Sequence, residues 1–120
     1  MNEKDPPSST AVCQSVHDLS VQIVEFVDES FPGWVKCEFV DAEGYRHEFV
    51  DKYPIFSIEM LDADSSYPTP GSVRCKVLTR WQDSQGRELA SVSTASPDGV
   101  ESTEGKSEFV ILSELLHRSA

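Results

Sequence analysis

The feature that most constrains this fold is a short motif that occurs twice. Residues 32–37 read PGWVKC and residues 70–75 read PGSVRC, so the copies are 38 positions apart. Each copy is followed by alternating apolar and polar residues, by an Asp-x-x-Gly turn, and by a second alternating run. A period of two around glycine-containing turns is typical of β-hairpins. A repeated hairpin predicts a pseudo-symmetric all-β domain.

The alternation also predicts the strands and part of their register. In the first hairpin, a three-residue loop that ends at a left-handed Gly44 places Phe39 opposite His47. The first strand of the second hairpin is long, which predicts a bend or a bulge, and its alternation puts Trp81 on the core face. The predicted strands are residues 20–28, 34–40, 45–50, 55–61, 73–82, 87–94 and 108–112, followed by a short helical turn within 113–118.

These elements predict an all-β fold, a small antiparallel barrel or sandwich of about six to seven strands with a short C-terminal helical turn. Residues 1–18 are polar, contain a Pro-Pro pair and show no period, so we predict a flexible N-terminal arm. Residues 19–120 then form one β-barrel-like domain, a usual size for a single core.

Charge limits the classes of partner. The chain has 21 acidic residues against 10 Lys and Arg, a formal net charge of −11. This charge repels phosphate backbones and anionic lipid, so we expect neither nucleic-acid nor membrane binding. A basic protein partner is attracted instead, although acidity that only keeps the protein soluble is the simpler alternative.

The N-terminal sequence and the cysteines predict a cytoplasmic protein. No signal-peptide pattern begins the chain, and no run of about eighteen apolar residues occurs. The three cysteines, Cys13, Cys37 and Cys75, have neither CxxC nor metal-ligand spacing, which favours free thiols in a reducing compartment. A disulfide between Cys37 and Cys75 is the less favoured alternative.

The sequence carries no recognisable catalytic motif. His17, His47 and His117 are scattered, and none lies beside a cysteine at zinc-ligand spacing. Neither a hydrolase elbow nor a glycine-rich phosphate loop is present. We therefore predict no enzyme activity, no catalytic residues, no metal and no cofactor, and we interpret His47 as a structural histidine near the core.

The leading hypothesis is a non-catalytic acidic module that binds another, basic protein. One version is an immunity or antidote protein whose carboxylates cover the active site of a basic toxin. Exposed aromatic side chains with acidic neighbours are natural anchors for such an interface. The predicted partner-binding residues are Asp28, Glu29, Phe31, Trp34, Asp62, Asp64 and Tyr67. For Trp34 the alternative is a lid that closes one end of the core, whereas Tyr67 is expected to be exposed.

The alternative hypothesis is a small-molecule-binding β-barrel. Its ligand would lie in the barrel mouth among Trp34, His47 and Trp81. Small barrels are usually filled by their own side chains, which makes this the second choice. An enzyme with an unrecognised site is a third, less favoured hypothesis. The sequence predicts no oligomeric state.

Three segments carry a resemblance. Residues 26–35, 49–52 and 101–105 resemble segments of small single-domain bacterial proteins of uncharacterised function. The paired hairpins are also similar, at the level of fold alone, to the six-stranded barrels of translation elongation factors. Neither resemblance implies an activity, because one fold serves many functions.

Overall fold

The computed structural model describes residues 16–118, whose regular structure is β-sheet with two 3₁₀ turns. The strands are β1 (Val16–Asp28), β2 (Trp34–Val40), β3 (Arg46–Lys52), β4 (Thr69–Gln82), β5 (Glu88–Ser93), β6 (Glu108–Leu112) and β7 (Leu116–Arg118). The 3₁₀ turns are Tyr53–Ile55 and Ser113–Leu115. The strands form a curled, mostly antiparallel half-barrel, which confirms the predicted all-β class.

β1 is the central strand of the sheet. The strand order is β3-β2-β1-β4-β5-β6, so each predicted hairpin lies on its own side of β1. β4 pairs with β1 along residues 16–23, whereas β2 pairs with it along residues 22–28. β7 takes the place of β2 beside residues 17–19. Phe39 lies opposite His47, as the turn chemistry predicted.

Two backbone hydrogen bonds join the first hairpin to β6 and to the loop that precedes β6. The amide of Ala42, in the β2–β3 turn, donates to the carbonyl of Val110 in β6 at 2.9 Å. The amide of Thr103 donates to the carbonyl of Glu48 in β3 at 2.8 Å. The tip of the first hairpin therefore leaves β1 and folds over towards β6.

An aromatic cluster lies between the first hairpin and β6. Phe39 stacks on Phe49 with ring centroids 5.7 Å apart, and Phe109 meets both rings edge-on at 5.1 and 5.9 Å. Edge-to-face and offset contacts are the favourable geometries for such rings. The core continues along the sheet through alternate buried residues of the strands, including Leu19, Ile23, Val35, Cys37, Val73, Cys75, Val77, Ala90, Val92 and Ile111.

The predicted strand at residues 55–61 is wrong. Pro54 lies within the 3₁₀ turn, which the amide of Phe56 closes by donating to the carbonyl of Tyr53 at 2.9 Å. Phe56 itself is buried, and its carbonyl accepts the amide of Ser72 at 2.9 Å. The segment therefore inserts one side chain into the core and then loops out, without pairing as a strand.

Several boundaries also differ from the sequence prediction. β1 begins at Val16, so the predicted boundary at residue 19 falls inside a strand, whereas residues 1–15 lie outside the described part. The predicted C-terminal helical turn is the 3₁₀ turn Ser113–Leu115, followed by β7. The predicted irregularity in β4 is a register shift between Val77 and Thr79. In residues 16–118, the structure has no helix of the length and apolarity that a membrane crossing requires.

The two motif copies use their glycines for different reasons. Gly33 lies in the loop before β2 with a φ of +114°, a conformation that favours glycine. Gly71 lies inside β4, where a Cβ atom would come within 2.7 Å of Ile23 Cδ1 and 2.9 Å of the Phe56 carbonyl oxygen. The first copy therefore needs backbone freedom, and the second needs space.

Gly71→Ala is expected to destabilise the fold by about 1–3 kcal/mol, because the added methyl group overpacks the contact with Ile23 and Phe56. Urea unfolding followed by circular dichroism measures this difference. Ile23→Val removes the nearest atom, so the same glycine change should cost less in that background. Equal stability of Gly71→Ala and the wild type would show that the contact relaxes freely.

Candidate functional site

Most of the residues predicted to bind a partner lie on two loops at one end of the sheet. One loop joins β1 to β2, and the other, residues 56–68, leads from the first 3₁₀ turn to β4. The amide of Tyr53 donates to the carbonyl of Gly33 at 2.9 Å, which joins the bases of the two loops. β4 begins opposite Ile23 and runs antiparallel to β1, so the chain before it points towards the Asp28 end.

Three large apolar side chains of these loops are exposed to solvent. Phe31 is 95% exposed, Met60 is 83% exposed, and Ile58 is fully exposed. Among the described residues, the next most exposed large apolar side chain is Tyr45, at 66%. Sequence reasoning found Phe31 but missed Ile58 and Met60, because their alternation with charged and polar residues predicted a strand.

Five carboxylates surround these apolar side chains in the sequence. Within residues 16–118 none of the five forms an ion pair, whereas on the sheet Lys36 lies 3.8 Å from both Glu25 and Glu48. The unpaired carboxylates are those of Asp28, Glu29, Glu59, Asp62 and Asp64. We call them, with Phe31, Ile58 and Met60, the loop surface.

The carboxylates at the base of the loop surface also shape the backbone. Asp28 accepts the amide of Ser30 at 2.7 Å, and the backbone and side-chain hydrogen bonds of Ser30 lower the pKa of Asp28. Asp62 accepts the amide of Asp64 at 2.9 Å. These two carboxylates have local turn roles, so Glu29, Glu59 and Asp64 are the better positions for testing charge.

Trp34 and Tyr67 are less exposed than the loop surface. Trp34 is half-buried at the start of β2, with Lys52 Nζ 4.9 Å from its ring centroid. Tyr67 packs against the core, and its hydroxyl donates to the carbonyl of Asp62 at 2.8 Å. The expected exposure of Tyr67 is therefore not observed, and Tyr67 holds the loop in place.

A second candidate lies at the other end of the hairpins, where one turn structure occurs three times. The turns cover residues 41–45, 83–87 and 102–106. In each, the first amide donates to the fifth carbonyl, at 2.8, 2.9 and 2.7 Å respectively. The glycines at the fourth position have φ values of +91°, +82° and +81°. The third copy lies in the connection between β5 and β6.

A polar side chain holds each of these turns. Its oxygen accepts the amides of the third and fifth residues of the turn, in the manner of an Asx turn. The accepting atoms are Asp41 Oδ1 at 2.9 and 3.0 Å, Asp83 Oδ1 at 2.9 Å for both amides, and Ser102 Oγ at 3.2 and 3.1 Å. Serine thus replaces aspartate in the third copy.

The fifth residues of the three turns line one cleft. Tyr45, Arg87 and Lys106 face a space of about 640 Å³, within the usual range of small-molecule sites. Arg87 links two of the turns, because its Nε donates to Asp83 Oδ2 at 2.8 Å and its Nη1 to the carbonyl of Ala42 at 3.0 Å. We call this space the turn cleft.

His47 and Asp41 form a fixed pair in the wall of the turn cleft. His47 is 8% exposed, its ring lies against Phe39 and Phe109, and its Nε2 is 2.7 Å from Asp41 Oδ2. Burial alone raises the pKa of Asp41, but the hydrogen bonds from His47 and two backbone amides outweigh it, so the pKa is lowered. Asp41 is therefore ionised at neutral pH.

The structure brings together only part of the predicted ligand-binding set. His47 and Trp81 both line the turn cleft, whereas Trp34 pairs with Lys52 near the opposite end of the first hairpin, about 17 Å away along the strand. The predicted core position of Trp81 is wrong. The register shift after Val77 reverses the alternation of β4, so Trp81 lies opposite Leu89 and is 40% exposed.

The lining of the turn cleft carries no Ser, Thr or Cys side chain in the part of the chain that the structure describes. Ser102 and Thr103 share a separate, smaller cavity with His47, and there Ser102 Oγ already accepts two amides of its turn. Residues 16–118 also hold no group of three or more His, Cys, Asp or Glu side chains that could bind a metal ion.

The two described cysteines are buried free thiols, as predicted. Cys37 pairs with Ile23 and Cys75 with His17, on opposite sides of β1, roughly 20 Å apart along the strand. A disulfide needs Cα atoms within about 7 Å. Burial raises the pKa of each thiol to about 12, so both stay protonated at neutral pH. Cys13 lies outside the described residues.

Comparison with protein-family models finds no family that matches the chain, and comparisons with curated proteins and with solved structures find no match. Inference about function therefore depends on the two candidate surfaces themselves.

Asp41→Asn is expected to lower the free energy of unfolding by about 1–2 kcal/mol at neutral pH, because it removes the charged partner of His47 but keeps an oxygen for the turn. The lowered pKa of Asp41 stabilises the fold above the unfolded-state pKa, and this stabilisation is lost as pH falls through the folded-state pKa. Urea unfolding between about pH 2 and 7 tests this, and the variant should show the shallower loss towards acid. Parallel profiles would contradict the assignment.

Proposed function

We propose that this protein is a non-catalytic docking module that binds a basic protein through the loop surface. The observation that carries the proposal is the exposure of Phe31, Ile58 and Met60 among carboxylates that have no ion-pair partner in the described residues. Folding alone does not account for either feature. Apolar side chains are stabilised by leaving water, and unpaired carboxylates by a partner's cations.

The apolar side chains supply the affinity. Complete burial of one large apolar side chain contributes about 1.5–3 kcal/mol, so two or three such anchors can support a specific complex once the cost of association is met. Phe31 and Ile58 are the expected anchors because they are the most exposed and lie on different loops. Anchors on two loops also fix the orientation of the partner.

The carboxylates supply selectivity and speed. The net charge of −11 attracts a basic protein from a distance, and the unpaired carboxylates place local negative charge beside the apolar anchors. Charge complementarity of this kind raises the association rate and rejects acidic proteins. The immunity or antidote version of the proposal adds one requirement, that binding blocks the activity of the partner.

The apolar part of the proposal is tested with the protein that co-purifies with the full chain from its host. The double variant Phe31→Ser/Ile58→Ser should weaken the complex by roughly ten- to a hundredfold, because both anchors are lost. Tyr45→Ser is the matched control, since Tyr45 is the next most exposed apolar side chain but lies in the turn cleft. Isothermal titration calorimetry measures the dissociation constants.

The charged part is tested by the salt dependence of the association rate. Glu29→Lys/Asp64→Lys should slow association at low salt by about tenfold or more and reduce the salt dependence. Glu88→Lys/Glu101→Lys makes the same change in net charge away from the loop surface and should have a smaller effect. If both loop variants bind like the wild type, or if the control variants are the defective ones, the loop surface is not the docking site.

A further inference from the structure

We infer that the turn cleft is a second binding site, for a small organic cation joined to a planar apolar group. The cleft lies at the opposite end of the first hairpin from the loop surface. Its chemistry is set by Trp81, Tyr45 and the charged side chains that face the same space.

The charges of the turn cleft favour a cation. Arg87 is engaged with Asp83 and with the carbonyl of Ala42, so it offers little positive charge to a ligand. Glu43 and Glu108 face the cleft and form no ion pair within residues 16–118. Of the four carboxylates that line the space, Asp41 is paired with His47 and Asp83 with Arg87, which leaves Glu43 and Glu108 against one cation, Lys106, so negative charge remains open to a ligand.

The aromatic side chains favour a cation with a flat apolar part. Trp81 is 40% exposed and Tyr45 is 66% exposed, so both offer ring surface to a ligand. One cation–π contact is already present within the molecule, since Lys52 lies over the ring of Trp34. Among the described residues no cation lies over Trp81. Tryptophan is the best cation–π partner, and its face also stacks on a planar ring.

The walls of the turn cleft are preorganised for binding. Backbone hydrogen bonds fix all three turns, and Arg87 ties the second turn to the first. His47 is held by Asp41 on one side and by Phe39 and Phe109 on the other. A ligand that enters this space meets turn backbones, an arginine and a histidine that have little freedom left to lose, which reduces the cost of binding.

Titration of the full-length ¹⁵N-labelled protein with phenethylammonium chloride tests the site. We expect saturable shifts of the backbone amides in residues 41–45, 83–87 and 102–106 and of the Trp81 indole N–H. Phenylacetate, which has the same ring and the opposite charge, should give no saturable shift. Trp81→Ala should weaken phenethylammonium binding by about tenfold, the effect of a desolvated cation–π contact.

Matched variants separate the cleft from the rest of the surface. Trp34→Phe should leave phenethylammonium binding unchanged, and so should Phe31→Ser/Ile58→Ser, so that failure of this site and failure of the loop surface are distinguishable. Glu108→Gln should weaken binding by about threefold, whereas Glu88→Gln, outside the cleft, should not. Folding of every variant is read from the dispersion of the same spectrum.

Three results would overturn the inference. Phenylacetate that binds as well as phenethylammonium would show that charge does not select the ligand. Shifts that map outside the three turns would place the site elsewhere. Nα-acetyl-lysine methylamide has an ammonium group without a ring, and its binding as tightly as phenethylammonium would assign the cleft to a protein side chain and not to a small molecule.

Discussion

The pairing of β1 with both hairpins is the constraint on which the other features depend. β2 leaves β1 after the Gln22–Glu38 pair, and β7 replaces it beside residues 17–19. The free end of the first hairpin then folds towards β6, where Ala42 bonds to Val110. Two candidate surfaces follow from this arrangement, because the connecting loops collect at the Asp28 end and the turns of both hairpins collect at the other.

The three matched turns show how a local motif becomes a tertiary feature. An Asp or Ser oxygen that accepts two amides fixes each turn by local hydrogen bonds, and a left-handed glycine lets the chain reverse. The side chain of the fifth residue therefore leaves each turn in a similar direction. When the half-barrel brings the turns together, Tyr45, Arg87 and Lys106 come to line one space. The cleft is a result of turn geometry combined with curling of the sheet.

Local patterns predicted most of the strands but not the candidate sites. Alternation and turn residues predicted β2 and β6 to the residue, and they predicted the Phe39–His47 register. The same alternation failed at Ile58 and Met60, where the Pro54 turn and the buried Phe56 prevent a strand from forming. A period of two does not show where a bulge lies, so the alternation predicts the wrong face for Trp81. Convergence of the three turns depends on contacts between distant segments, which a single sequence does not display.

The charged side chains of the sheet and those of the loop surface differ in how they are paired. On the sheet, Lys36 and Arg46 lie near carboxylates, with Arg46 Nε 3.6 Å from Glu38 Oε1. Exposed pairs of this kind contribute little stability, but they leave the sheet face nearly neutral locally. Within residues 16–118 the loop surface has no ion-pair partner for its carboxylates, so in the proposed function they are available to a molecule outside the chain. Because apolar side chains lie among them, a partner that binds there must be both basic and apolar, a requirement that net charge alone does not impose.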